Sequence, residues 1–249
     1  MKVKILENRQ LGGSCFSMSF EWPAGDAKPG QFLMVRVSEE LNPLLRRPMS
    51  IADITDGAAT VMYKLVGRGT AILSRKKTGD WIDVLGPFGN HFDPPEDKKN
   101  IVIIAGGIGV PPLLFFAKHK RDRNIVSVIG GASKDDIIHA DRFAELGAAV
   151  IITTEDGSMG RHGVVTDALM ELEDVNTGNA YIVACGPNSM LRAVDLLTIE
   201  LGLEGELAIE KGMACGFGAC LGCIVETVHK KQKVCVDGPV FRMGEVKWE

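Results

Sequence analysis

The feature that most constrains this chain is the run Cys215-Gly-Phe-Gly-Ala-Cys220-Leu-Gly-Cys223, followed by Cys235, a spacing of C-x4-C-x2-C-x11-C. Four thiols gathered this closely form a metal cage or a disulfide knot. Gly216, Gly218 and Gly222 let the backbone curl around a bulky inorganic group and turn N–H donors toward it. An iron–sulfur cluster needs that arrangement, because its sulfurs carry negative charge and accept hydrogen bonds. The order C-x4-C-x2-C…C is the plant-type [2Fe–2S] spacing. The fourth cysteine comes early, so residues 207–249 read as a shortened cluster domain. Zinc is the alternative, but zinc ligands usually come as two C-x2–4-C knuckles, whereas here three cysteines crowd one loop. Cys15 and Cys185 lie far off in apolar surroundings, and no disulfide framework is expected.

The 249 residues suffice for two domains and a small appendage. With 45% apolar and 24% charged residues the chain is an ordinary globular one. A net charge of −4 gives no general attraction to nucleic acid. No apolar run approaches the roughly 20 residues of a membrane helix. Met1 leads directly into the alternating Lys2-Val-Lys-Ile-Leu6, so no targeting segment is expected and a cytoplasmic protein is.

Residues 1–96 read as short strands, over 3–6, 15–20, 31–37, 60–65 and 81–85, with one helix over 70–77. Breakers separate them, among them Gly12-Gly13, Pro29-Gly30, Asp56-Gly57 and Gly86-Pro87. Short strands at even spacing predict a small closed antiparallel barrel. Two pieces of it carry chemistry. In Arg46-Arg-Pro-Met-Ser50, an arginine fork can grip a pyrophosphate and a serine hydroxyl can reach a ring nitrogen. A strand start with a solvated charge explains the same residues. In Lys64-Leu-Val-Gly-Arg-Gly-Thr70, strand, glycines and helix start offer either free N–H groups to an anion or a helix capped by Thr70.

Residues 97–206 change character. Asn100-Ile-Val-Ile-Ile-Ala105 is a continuous apolar strand, as in a parallel sheet buried on both faces. Strands over 125–130, 148–154 and 181–184 alternate with helices over 110–119, 135–146, 162–172 and 189–201. That alternation predicts a doubly wound parallel sheet, with ligands at the strands' carboxyl ends. Gly106-Gly-Ile-Gly109 and Cys185-Gly-Pro187 fall there. Pro112 occupies the last position of G-x-G-x-x-G, so the strict dinucleotide fingerprint is absent, although bare backbone at a helix start still suits a phosphate. The polar stretch after Thr154 is either a flap over that pocket or a solvated connection. His162 has no partner in sequence and receives no catalytic role. The fold class is thus an α+β multidomain chain: an N-terminal antiparallel β-barrel, a doubly wound parallel α/β nucleotide domain and a small C-terminal [2Fe–2S] domain.

Taken in order, Arg47-Pro-Met-Ser50, Gly67-Arg-Gly-Thr70, Gly86-Pro-Phe-Gly89, Gly106-Gly-Ile-Gly109 and Cys185-Gly-Pro187 resemble the ferredoxin–NADP reductase superfamily. The cysteine run, with Glu210-Lys-Gly-Met before it and Cys235-Val-Asp-Gly-Pro-Val-Phe241 after it, resembles the electron-transfer subunits of class 1B dihydroorotate dehydrogenases. The resemblance covers essentially the whole chain and implies a flavin barrel. Arg47, Pro48, Met49, Ser50, Lys64, Leu65, Val66, Gly69 and Thr70 would contact FAD. Gly106, Gly107, Gly109, Cys185, Gly186 and Pro187 would line the NAD site. Cys215, Cys220, Cys223 and Cys235 would hold one [2Fe–2S] cluster. Met49 departs from the aromatic residue that often stacks on the flavin in the wider superfamily. The implied partner is an FMN-containing catalytic subunit, in a heterotetramer of two catalytic and two electron-transfer subunits serving pyrimidine biosynthesis. The alternatives are a reductase subunit of a ferredoxin, hydrogenase or sulfite reductase complex, and a non-enzymatic four-cysteine redox or metal regulator.

Overall fold

The computed structural model describes residues 1–248. The first part comprises β1 (Lys2–Gly12), β2 (Cys15–Glu21), β3 (Phe32–Arg36), β4 (Arg47–Thr55), β5 (Ala58–Lys64), α1 (Arg68–Ser74) and β6 (Trp81–Phe88). The six strands close into a barrel in the order β1-β2-β5-β4-β3-β6, each antiparallel to its neighbours. Alternation fills the barrel from one side of each strand: Val3 and Ile5, Met18 and Phe20, Leu33 and Val35, Ile82 and Val84 all turn inward. The strand missing from the sequence reading is β4. It starts at Arg47, so the motif is the head of a strand, as one of its two readings had it, and Pro48 sits opposite Met34 of β3.

The chain continues with β7 (Asn100–Gly106), α2 (Val110–His119), β8 (Asn124–Gly131), α3 (Ala140–Glu145), β9 (Ala149–Thr154) and β10 (Arg161–His162). Next come α4 (Val165–Met170), α5 (Glu173–Asn176), β11 (Ala180–Cys185), α6 (Asn188–Glu200) and β12 (Glu204–Ala208). The last strands are β13 (Ile224–Glu226), β14 (Lys231–Lys233) and β15 (Val240–Arg242). A seven-stranded sheet runs in the order β10-β9-β8-β7-β11-β12-β15. Its strands are parallel except β15, which returns from the cysteine segment and pairs antiparallel with β12. The cysteine segment is therefore built onto the nucleotide sheet. α2 bridges to the barrel, burying Phe115 in the barrel core, while Lys118 Nζ grips Asp53 of β4 at 2.8 and 2.9 Å. Among the described residues no helix is long and apolar enough to cross a membrane.

Two differences from the sequence reading have local causes. The helix expected over 135–146 is broken: residues 134–136 make one 3-10 turn, His139 adopts φ +53°, and α3 starts only at Ala140. The chain folds back over Gly131 there, where an added Cβ would fall 2.8 Å from the Asp136 Cβ. β12 went unread because Glu204 and Glu206 punctuate it.

Glu206 is almost fully buried, and one of its carboxylate oxygens accepts the Asp93 N–H at 2.9 Å. Burial pushes its carboxyl up to about 7; the Asp93 hydrogen bond opposes this and the Asp93 charge adds to it. Between the ordinary 4.5 and about 7 the folded chain holds a proton that the unfolded chain has lost. Stability from this group is full below that window and falls as pH rises through it, by on the order of 3 kcal/mol at most. Lowered His91 and His139, disfavoured as cations chiefly by burial, act with the opposite sign. The measurement is therefore a difference: Glu206→Gln gains denaturation midpoint over wild type at pH 8 and not at pH 4.5. Equal gains at both would remove the titration argument.

Candidate functional site

A cleft of about 570 Å³ lies between the barrel and the carboxyl ends of β7 and β11, within the size range of cofactor sites. On the barrel side Arg47, Pro48, Met49 and Ser50 come from the head of β4, and Lys64 from the end of β5. Val66, Gly69 and Thr70 come from the turn into α1. On the sheet side Gly106 and Gly109 follow β7, while Cys185, Gly186 and Pro187 follow β11. Two residues of the expected set stand outside the lining: Leu65, which is exposed, and Gly107, which turns at φ +51° with open space around it.

The two neighbouring arginines do different work. Arg46 is spent on structure, donating to a carboxylate oxygen of Asp83 at 2.5 Å, to the Asp83 carbonyl at 2.8 Å and to the Met34 carbonyl at 3.3 Å. Arg47 makes no ion pair among the described residues; it donates to the Leu45 carbonyl and lays its guanidinium against Gly69. A Cβ at Gly69 would fall 2.5 Å from Arg47 Nε. The helix starts earlier than a Thr70 cap would have it: Gly67 is the N-cap, and the Thr70 hydroxyl, inside the first turn, reaches back to accept the N–H groups of Val66 and Gly67. Lys64 crosses the cleft to Asp136 at 3.1 Å. On the sheet side a Cβ at Gly109 would lie 2.2 Å from the Cys185 carbonyl oxygen, so the two loops touch through bare backbone. Burial raises the Cys185 thiol to about 12, which keeps it neutral. The stretch after Thr154 does not line the cleft, and His162 is exposed and packs on Gly157.

Residues 209–213 line the same cleft, as do Phe32 and Tyr63, and none of these was assigned a role from sequence. The available signal was position: Met213 stands two residues before Cys215. The cysteine loop also leans on the barrel. Gly216, at φ +81°, would put a Cβ 2.4 Å from Met34 Cγ of β3. Among the described residues no three cysteine, histidine or acidic side chains converge on one point. The cysteines instead fall in two sets: Cys215 and Cys220 share one loop, while Cys223 and Cys235 flank the β13–β14 hairpin, where the Val234 N–H donates to the Cys223 carbonyl at 3.0 Å. A single tetrahedral zinc needs its ligands at one point, whereas a diiron cluster takes two thiolates on each iron, so the two sets fit [2Fe–2S]. Although slight burial opposes it, the N–H groups of Phe217, Cys220 and Ala219 and the Cys220 thiol hold Cys215 below the ordinary thiol range. Burial, then Cys223, push Cys235 up.

A barrel and a nucleotide sheet sharing one cleft, with a cysteine loop at its edge, define a pyridine-nucleotide-linked flavin reductase carrying its own iron–sulfur site. Family models match in two places: "Oxidoreductase NAD-binding domain" over residues 103–195, and "Iron-sulfur cluster binding domain of dihydroorotate dehydrogenase B" over residues 210–247. The dihydroorotate dehydrogenase B (NAD(+)) electron transfer subunit of Caldanaerobacter subterraneus subsp. tengcongensis is 37% identical over 99% of this chain and 98% of its own. That of Geobacillus thermodenitrificans is 42% identical over 98% and 97%. A solved NADH-dependent reduced ferredoxin-NADP oxidoreductase superposes with a TM-score of 0.87 at 33% identity, covering 99% of this chain and 90% of that one. The chain belongs to the family of dihydroorotate dehydrogenase B (NAD(+)) electron transfer subunits.

Proposed function

We propose that this chain carries electrons between the FMN-containing catalytic subunit of a dihydroorotate dehydrogenase and NAD+, in the cytoplasm, within a heterotetramer of two subunits of each kind. The observation that carries the reading is that residues 209–213 line the cofactor cleft and run directly into the cysteine loop. Bound FAD would exchange a hydride with nicotinamide and single electrons with a [2Fe–2S] cluster. The chain supplies position and exclusion. Arg47 and Ser50 hold the flavin's phosphate and ring, Met49 and Pro48 give an apolar wall, and the loops after β7 and β11 present bare backbone to the nicotinamide in the cleft. Cys215, Cys220, Cys223 and Cys235 hold the cluster. Phe217 and Leu221, both more than half exposed beside Cys220, offer the apolar face that a catalytic subunit covers.

The test is reconstitution with the family's catalytic subunit, without oxygen. Dihydroorotate-dependent NAD+ reduction is expected, with NADP+ a poor substitute because Asp135 and Asp136 follow β8 where a 2′-phosphate would sit. The full-length likeness to the ferredoxin-NADP oxidoreductase favours a second reading, a reductase subunit of another complex. Turnover with reduced ferredoxin but not with dihydroorotate and its subunit would select it.

A further inference from the structure

Lys233 ends β14, two residues before Cys235. Its N–H donates to a carboxylate oxygen of Asp237 at 2.7 Å, and its carbonyl accepts the N–H groups of Val236 at 3.0 Å and Asp237 at 2.8 Å. This closed turn holds Cys235 at its centre. The side chain reaches out of the turn, and Nζ donates to the Gly218 carbonyl at 3.4 Å. Gly218 lies midway between Cys215 and Cys220 at φ +88°. There is little slack, because a Cβ on Gly218 would sit 2.8 Å from Val236 Cγ2 and 3.5 Å from Lys233 Nζ.

The neighbouring lysine behaves differently. Lys231 pairs with Glu226 at 3.3 Å, out on the hairpin. Lys233 makes no ion pair among the described residues, and the nearest acid of its own turn, Asp237, is engaged by backbone N–H. An ammonium without a counter-charge thus bridges the two halves of the cysteine cage.

We propose that Lys233 is a positioning residue for the [2Fe–2S] cluster, clamping the Gly218 peptide of the cysteine loop to the turn that carries Cys235 and raising the cluster's reduction potential by its charge. The inference rests on the cluster reading above. Two effects act in one direction. Reduction adds negative charge at the cluster, which a nearby cation stabilises, and a cysteine loop held in place keeps its N–H groups turned toward the ligand sulfurs.

The experiment is an EPR-monitored redox titration of the anaerobically purified protein, with iron and acid-labile sulfide counted in each preparation. Lys233→Met is expected to keep its iron and sulfide and to need about a tenfold larger ratio of reductant to oxidant for half reduction, about 59 mV lower for one electron. Lys233→Arg keeps a charged donor and should stay near wild type. Lys233→Gln keeps a donor toward Gly218 without the charge, so it reads the potential even where the methionine variant fails to assemble a cluster. A full cluster complement with an unshifted midpoint in the neutral variants overturns the proposal. Absence of iron and sulfide from wild type itself overturns the cluster reading instead.

Discussion

Replacing Cys220 by serine is expected to strip the iron–sulfur cluster while NADH-to-dye turnover continues. Cys220 is the exposed member of the four cysteines, whereas Cys223 and Cys235 are part of the apolar core. Its sulfur accepts the Gly222 N–H at 3.4 Å, inside the loop. A serine there leaves the fold untouched and takes away a soft thiolate that iron prefers. Changes one shell further out already cost metal sites about 10–100-fold, so removing the ligand itself should leave little iron or sulfide in the purified protein. The cleft residues that would serve FAD and NAD lie at the head of β4, the end of β5, the turn into α1 and the ends of β7 and β11, and Cys220 does not line the cleft. The dihydroorotate-linked rate of the reconstituted complex should collapse with the iron content, while diaphorase activity stays within about twofold of wild type. Equal loss of both activities in a folded, FAD-loaded variant would mean that the flavin cleft and the cysteine loop are not separable, and the division of labour proposed here would fall.

What sequence could and could not say follows from how each element is stabilised. The barrel was legible where side chains alternate, as in Met18 and Phe20 or Ile82 and Val84, because burial of one face writes a period of two. β4 was legible only as a strand start at Arg47-Pro-Met-Ser50; its run to Thr55 is set by cross-strand pairing to β3 and β5. The broken helix after β8 was invisible because its cause is a long-range approach of backbone over Gly131. The cleft was legible in pieces: thirteen of the fifteen cofactor residues named from sequence line it, and these come from four separate stretches that only the fold brings together. Residues 209–213 could not be found by type, since nothing about an isoleucine, a lysine or a methionine announces a cofactor. β12 delivers them to the cleft by pairing with β11, a register that local pattern does not carry. The cysteine run was legible at once because iron ligation imposes its spacing on the chain directly.

Arg47→Ala is expected to weaken FAD binding by roughly 10- to 100-fold, and Arg46→Ala is not. The pair is adjacent in sequence, so neither charge nor propensity separates them. The fold does. Arg46 is only about one-fifth exposed and already satisfied by Asp83 and Met34, so its removal strands a carboxylate that its charge and the N-terminal ammonium now hold below the usual range against burial. The loss there should appear in the unfolding midpoint. Arg47 instead presents its fork along the cleft beside Gly69, free of any acid among the described residues. A charge-assisted hydrogen bond contributes about 1.5–3 kcal/mol, and each 1.4 kcal/mol is a factor of about ten in affinity. Lys at position 47 keeps the charge but loses the paired geometry, and should recover only part of the affinity. Titration of deflavinated protein with FAD, followed by flavin fluorescence, reads all three variants. An unchanged dissociation constant for Arg47→Ala, or a larger loss for Arg46→Ala in protein that remains folded, would move the flavin phosphates away from the head of β4.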